Sequence, residues 1–400
     1  MRILNFNAWR YRSLRSVEGW EPSSLNVLIG PNGSGKSNVL RAIDLLAASA
    51  QGRLGKMVQS AGGIEPILWD GQEDDFELRL KCSPLEGGNN AAREALTYDL
   101  CFQRVGRGGD FAVGFEQLAN FHRVQQGQKD QPFKFLERRG VRAKVFDEQE
   151  RALVPPEEDI PTQETVLSLA KGPFTQNKIL SQFRTQLAGF SVYHDFHTNR
   201  DAIIRQPTVT RHETRVDADG QNLVSVLHTL YTGNRDFKNE VNDAMSAAFG
   251  SDFEELVFPP AADQRIQLRL RWKSLRREQS AADLSDGTLR FLFLLTVLAS
   301  PDPAPVIAID EPETGLHPSM LPIVAEYAVQ ASRKAQVFLT THSPQFLDAF
   351  TDTKPRTTVV QRINGETRLH ALDEEKLGRW LETYSLGALH RSGELEDMAS

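Results

Sequence analysis

Residues 25–47, LNVLIGPNGSGKSNVLRAIDLLA, constrain this chain more than any other stretch. Leu25, Val27, Leu28 and Ile29 make an apolar, β-favouring run that ends at a glycine-rich turn, and Val39, Leu40, Ile43, Leu46 and Ala47 follow at helical spacing. The turn, residues 30–37, matches G-x-x-x-x-G-K-[ST] at every fixed position. Gly30, Gly33 and Gly35 let the backbone adopt positive φ and turn its N–H groups inward, as a bound phosphate requires. The positive end of the following helix points the same way. Lys36 can reach the β- and γ-phosphates of a nucleotide, and the Ser37 hydroxyl is placed to ligate Mg²⁺. The candidate phosphate-binding set is therefore Asn32, Gly33, Ser34, Gly35, Lys36, Ser37 and Asn38. Glycine-rich strand-to-helix turns also occur in proteins that bind no nucleotide; the strand before this one and the amphipathic run after it favour the nucleotide reading.

Four hundred residues exceed what one core ordinarily organises. A net charge of −7 exerts no global pull toward nucleic acid, so any such contact would need a local patch. Two cysteines, Cys82 and Cys101, are too few for a metal site of their own and fit a reduced, cytoplasmic setting. No run approaches 18 apolar residues, and the arginine-rich start lacks an apolar signal core, so neither a membrane span nor secretion is expected.

Along the chain, residues 1–29 read as short strands, and 76–82 and 96–105 alternate apolar with polar residues as half-buried antiparallel strands do. Glycine-rich loops are expected at 86–90 and 106–109. Residues 147–164 carry seven acidic residues and three prolines, which reads as a surface loop. Helices are expected at 177–188, 222–230 and 236–249. Residues 265–273 alternate as one strand with a basic outer face. An almost wholly apolar helix (284–300), a buried strand ending in two carboxylates (306–312), a helix (318–333) and a strand (336–342) follow. Strand and helix alternating in this way point to an α/β architecture with a mostly parallel sheet.

Charge and position assign roles in this second half. Asp310, ending a buried strand, can hold the Mg²⁺ that bridges nucleotide phosphates, and Glu311, one residue further out, can orient or deprotonate an attacking water. His342, at the tip of the next strand, is placed to hydrogen-bond a γ-phosphate. In LSDGT (284–288), Ser285 and Gly287 open a second helix N-terminus with donors for phosphate. Each of these features alone has a bland reading as a cap, a turn or a surface histidine. Their joint occurrence in this order does not.

LSDGT resembles the ABC signature LSGGQ, and the chain resembles the RecF- and OLD-like branch of ABC-type ATPases, the AAA_15/AAA_21 group often found in bacterial phage-defence operons. The resemblance rests on NVLIGPNGSGKSN (26–38), LSDGTLRFLFLL (284–295), IDEPETGLHP (309–318) and TTHSPQFLD (340–348), with support from ILNFNAWRYRSL (3–14) and LGALHRSGEL (386–395). It covers about a quarter of the chain. It implies an ABC-type P-loop NTPase head: a mixed and parallel sheet flanked by helices, an antiparallel β subdomain, and a mainly helical insertion. The implied division is an N-terminal lobe at 1–105, an insertion or lid at 106–260, and a C-terminal lobe at 261–400. It implies ATP and Mg²⁺ as ligands, with catalytic roles for Lys36, Glu311 and His342. It further implies a homodimer or higher oligomer of heads in which Ser285 and Gly287 act in trans on the partner's ATP. Gln72 in WDGQ is the candidate for the Q-loop position. Asp286, Thr288 and His317 depart from transporter heads, and 248 residues separate Ser37 from Ser285, more than a compact transporter head places there. Only 58 residues follow His342, too few for the TOPRIM nuclease of OLD-type relatives, so a nuclease effector is expected as a separate, TOPRIM-like or other, companion protein. The biological setting implied is antiphage defence or DNA repair. An ATP-gated DNA-binding or scaffold module with little hydrolysis is the alternative.

Two further features stay open at this level. His194, Asp195 and His197 in YHDFHTN could ligate a metal or make structural contacts. Residues 265–273 and the cluster Lys134, Arg138, Arg139, Arg142, Lys144 could contact DNA backbone or be solvated strand faces.

Overall fold

In the computed structural model, which describes residues 1–85, 94–106, 108–120, 132–156, 159–170 and 177–398, the period-two pattern of Asp75–Cys82 and Leu96–Val105 becomes the middle of an eight-stranded antiparallel sheet. The order is Leu14–Trp20, Ile3–Tyr11, Asp75–Cys82, Leu96–Val105, Asp110–Asn120, Phe133–Arg139, Arg142–Asp147 and Ala152–Val154. The register sets Phe6 opposite Leu80, Leu80 opposite Tyr98 and Phe76 opposite Phe102, so one face is continuously apolar. The Phe76 and Phe102 rings stack with centroids 4.6 Å apart. Such cross-strand aromatic pairs contribute about 0.5–1.5 kcal/mol beyond the area they bury.

This sheet belongs to the first of two units, made of residues 1–23, 30–190 and 358–371. The same unit holds helix Lys36–Gln51, whose Val39, Leu40, Ile43, Leu46 and Ala47 are all buried, and helix Lys178–Ala188, capped by the Asn177 side chain accepting from Ile179 N and Leu180 N. Gln51 Nε2 donates to Ala188 O across these two helices at 2.6 Å. The unit also includes the hairpin pairing Thr358–Ile363 with Glu366–Ala371.

Residues 106–260 open with strands, and helices follow from Val166. The alternation there is masked because Arg138, fully buried at 1% exposure, occupies a position where an apolar side chain would announce the strand. Its guanidinium is satisfied by carbonyls: Nε donates to Gly140 O, Nη1 to Glu164 O and Nη2 to Pro161 O. A buried cation is tolerated only with such partners. The glycine-rich stretch 86–90 and parts of 106–109 and 147–164 lie outside the described residues; within the last, Ala152–Val154 is a strand.

The second unit comprises residues 24–29, 191–357 and 372–400. Its centre is a parallel sheet in the order Ser191–Tyr193, Val306–Ile309, Gln336–Thr341 and Leu25–Ile29. Val306–Ile309, Gln336–Thr341 and Leu25–Ile29 are buried at every position, as strands covered on both faces must be. Helices Leu223–Gly233, Arg235–Phe249, Asp286–Leu298 and Leu321–Ala331 contribute to the core around this sheet, with Leu292, Phe291 and Val324 inaccessible. Residues 265–273 do not form the single strand their alternation suggests. Arg265–Ile266 pairs with Thr208–Val209 and Pro260–Ala261, whereas Arg269–Trp272 pairs with Phe253–Val257 and Gln279–Ser280. Ile266, Leu268 and Leu270 are nevertheless all buried, so the alternation reports burial while a change of partners at 267–268 breaks the strand. Among the described residues no helix is long and apolar enough to cross a membrane.

Candidate functional site

The candidate residues fall into two groups, one in each unit. In the first unit Gly30, Gly33 and Gly35 have φ of 149°, 77° and 106°. A Cβ at Gly30 would lie 2.2 Å from the Val360 carbonyl oxygen, and one at Gly35 would lie 2.0 Å from Thr367 Oγ1. Both positions thus require glycine for space as well as for conformation. Helix Lys36–Gln51 starts at Gly35 with no side-chain cap and no acidic residue in its first turn. With no side-chain cap and no acidic residue there, the helix's positive end favours an anion. Lys36 is buried at 5% exposure and its Nζ donates to Gly30 O (2.8 Å) and Pro31 O (3.1 Å), curling over the loop's own carbonyls. Ser34 is buried, and among the described residues its Oγ has no hydrogen-bond partner.

Two flanking elements brace this loop. Thr367 Oγ1 lies 2.7 Å from both Ser34 O and Ser13 Oγ, and Asn38 Nδ2 donates to Ser13 Oγ at 2.7 Å. Asn32 and Gly33 are exposed, while Ser37 and Asn38 are half-buried. Beside Ser13 a cavity of about 720 Å³ is lined by Arg12, Trp69, Asp70, Arg362 and Asn364 among others. Gln72 is exposed just after the short turn Trp69–Gly71, and among the described residues no hydrogen bond ties it to the phosphate loop.

In the second unit, Asp310 and Glu311 follow the buried strand Val306–Ile309. Thr340 Oγ1, itself inaccessible, donates to Asp310 Oδ1 and accepts from Glu311 N at 3.0 Å. Asp310 N donates to Tyr193 O at 2.9 Å, and His194 Nδ1 stands 3.5 Å from Asp310 Oδ2. Glu311 holds a φ of 47°, uncommon for a residue with a side chain. Its Oε1 is 3.1 Å from His342 Nδ1, and the two side chains are 35% and 44% exposed. Just beyond, Thr341 Oγ1 donates to Glu313 Oε1. Burial raises the Glu313 carboxyl above its usual range, opposed by the Thr341 hydrogen bond. Burial also lowers the Arg290 guanidinium, against the charges of Glu313, Asp195 and Glu311.

The LSDGT stretch forms the start of helix Asp286–Leu298. Ser285 is its N-cap, with Oγ accepting from Thr288 N at 3.1 Å. Gly287 packs so closely that a Cβ would lie 2.6 Å from Gly315 O. No motif points to Arg205. At 7% exposure it donates from Nη1 to Ala281 O, Ala282 O and Leu284 O, in the turn leading to Ser285, and from Nη2 to Asp286 Oδ1, just after it. Arg205 stands in no recognisable spacing, and Thr340, although it opens TTHSPQFLD, gives no local sign of its tie to Asp310 and Glu311.

Of the two features left open, His194 makes a structural contact with Asp310, and among the described residues no group of three or more His, Cys, Asp or Glu could hold a metal. Part of each basic cluster is compensated by carboxylates: Arg271 pairs with Glu255 and Glu278, Arg269 with Glu278, and Lys134 and Arg139 with Glu137.

No curated protein matches the sequence significantly. Among solved structures, an SMC head bound to the C-winged helix domain of ScpA is 13% identical, covering 95% of this chain and 100% of its own, with a TM-score of 0.56. At that identity it shows the fold alone, that of an SMC head. The SMC head domain from Thermotoga maritima is 16% identical, with 93% and 100% coverage and a TM-score of 0.46. The family model AAA_21, described as "AAA domain, putative AbiEii toxin, Type IV TA system", matches residues 25–348, from the strand before the phosphate loop to just past His342. The chain therefore belongs to the AAA_21 family of ATPase-type domains.

Proposed function

We propose that this chain hydrolyses ATP to ADP and phosphate at interfaces between two copies of itself, and that the resulting opening and closing controls a separate effector. The observation that carries the hydrolytic part is the Glu311–His342 pair: a carboxylate and an imidazole 3.1 Å apart, both partly open to solvent, at the ends of neighbouring buried strands. In this reading the loop amides and Lys36 take the phosphates. Glu311 orients the attacking water and accepts its proton, while His342 holds Glu311 and meets the γ-phosphate. Thr340 fixes Asp310 and the Glu311 backbone together, so the base is positioned before substrate arrives.

The Ser37 hydroxyl and the Asp310 carboxylate are hard oxygen donors of the kind Mg²⁺ takes. Bound with ATP, the ion would neutralise charge developing on the phosphates. The cavity lined by Arg12 and Trp69, about 720 Å³, is assigned to the nucleoside. Ser285 and Gly287 are assigned to the ATP of a second copy, with Asn32, Gly33, Ser34, Gly35 and Asn38 cradling the phosphates of the first. Gln72 is retained as the Q-loop candidate. The family description, naming an AbiEii-type toxin of a toxin–antitoxin system, supports a setting in defence, with a nuclease as the class of effector. Steady-state ATP turnover with Mg²⁺ tests the hydrolytic reading: Glu311→Gln should lose about 100-fold or more, and unchanged turnover contradicts it.

A further inference from the structure

We infer that Arg205 is the positioning residue for the phosphate-facing end of helix Asp286–Leu298, acting on ATP held by the partner copy. The inference rests on the trans role proposed above for Ser285 and Gly287.

Arg205 ends the short turn Ile203–Arg205 and is buried, yet every hydrogen bond it makes is to the chain around it. Nε donates to Thr198 O at 2.7 Å, anchoring the guanidinium to its own segment. Nη1 faces three carbonyls, Ala281 O (3.1 Å), Ala282 O (3.3 Å) and Leu284 O (2.7 Å), and Nη2 donates to Asp286 Oδ1 at 2.6 Å. Those acceptors surround Ser285, the N-cap. A rigid planar fork gripping both the turn before the cap and the first residue after it fixes the direction in which the helix end points. Lysine, whose three donors share one nitrogen on a flexible stem, cannot span the same acceptors.

Charge gives the second argument. Asp286 sits in the first turn and its side chain is 70% exposed, so its carboxylate stands at the helix end that is meant to receive a phosphate. An unpaired carboxylate there would repel the anion that the helix end otherwise attracts. The buried Arg205 guanidinium beside it, 7% exposed, cancels that charge. Arg205 therefore both aims the helix N-terminus and keeps it attractive to phosphate, although it touches no nucleotide itself.

The test is complementation between two defective full-length chains. Arg205→Ala should still bind N-methylanthraniloyl-ATP like the wild type, because its own phosphate loop is intact, while its turnover falls about 100-fold. Lys36→Ala should lose turnover for the opposite reason. Mixed together, they should regain turnover, since one site of each mixed dimer pairs an intact Lys36 loop with an intact Arg205. A structural defect confined to its own chain would not be rescued in this way. Wild-type turnover in Arg205→Ala, or a mixture as inactive as its parts, overturns the inference. Should Arg205→Ala fail to accumulate folded, Arg205→Lys should show reduced turnover with unchanged analogue binding, partly restored by adding Asp286→Asn; full turnover in Arg205→Lys overturns it equally. A wild type without any turnover would instead defeat the ATPase reading on which the inference stands.

Discussion

Replacing Thr340 by valine tests the architecture of the hydrolytic strand ends most sharply, because one inaccessible hydroxyl serves both acidic residues. Valine retains the branched shape but removes the donor to Asp310 and the acceptor for Glu311 N. The lost bond to a carboxylate costs about 1.5–3 kcal/mol, and the orphaned amide about 1–3 kcal/mol. The added methyl returns about 0.8 kcal/mol. The net loss is about 2–5 kcal/mol. Glu311 should suffer beyond this, since its φ of 47° is a strained conformation of the kind that persists only when its surroundings enforce it. Urea unfolding should show the transition containing this unit shifted to lower denaturant. ATP turnover should fall by more than the loss of folded protein explains. Thr340→Ser, which keeps the hydroxyl, should stay near wild type in both assays. Wild-type stability and turnover in Thr340→Val would refute the claim that this hydroxyl organises the site.

Gly35→Ala should fold but lose analogue binding, because its Cβ would meet Thr367 Oγ1 at 2.0 Å and the backbone there holds φ of 106°; equilibrium binding of N-methylanthraniloyl-ATP reads this, and retained affinity would contradict it. Glu313 has a carboxyl raised by burial, so the folded state keeps its proton to higher pH than the unfolded state does. Stability must then fall as pH rises from the ordinary carboxyl value of 4.5 through the raised one. Glu313→Gln should remove that fall, so denaturant midpoints of mutant and wild type should diverge in the mutant's favour between acid and neutral pH. Leu292→Ala, at a fully buried position of the apolar helix, should cost about 2–5 kcal/mol in the same unfolding assay.

The phosphate loop, the strand ending at Asp310 and the helix after Ser285 are legible in the sequence because local pattern and tertiary role coincide there. Gly30 and Gly35 are needed for their own φ as well as for the fold, and Val306–Ile309 is apolar because both faces are covered. Legibility fails where a residue's role depends on distant partners. Arg138 looks like part of a basic surface yet is a buried staple held by three carbonyls, two of them more than twenty residues away. His194 reads ambiguously in YHDFHTN because its neighbour Asp310 is 116 residues further on. Residues 265–273 keep their alternation, but pairing with two different sets of strands, which no local pattern encodes, divides them. Arg269 and Arg271 look like a cationic face until Glu255 and Glu278 are seen beside them.

The central claim is that ATP is bound between two copies and consumed through Glu311. Sedimentation of Glu311→Gln with Mg²⁺, with and without ATP, addresses it directly, since blocking the base while leaving the phosphate loop and the Ser285 helix end intact should trap the closed state. The expected result is a shift from a smaller species to an ATP-bound dimer that persists as long as ATP is present. ATP bound to Glu311→Gln with no change in sedimentation would contradict it.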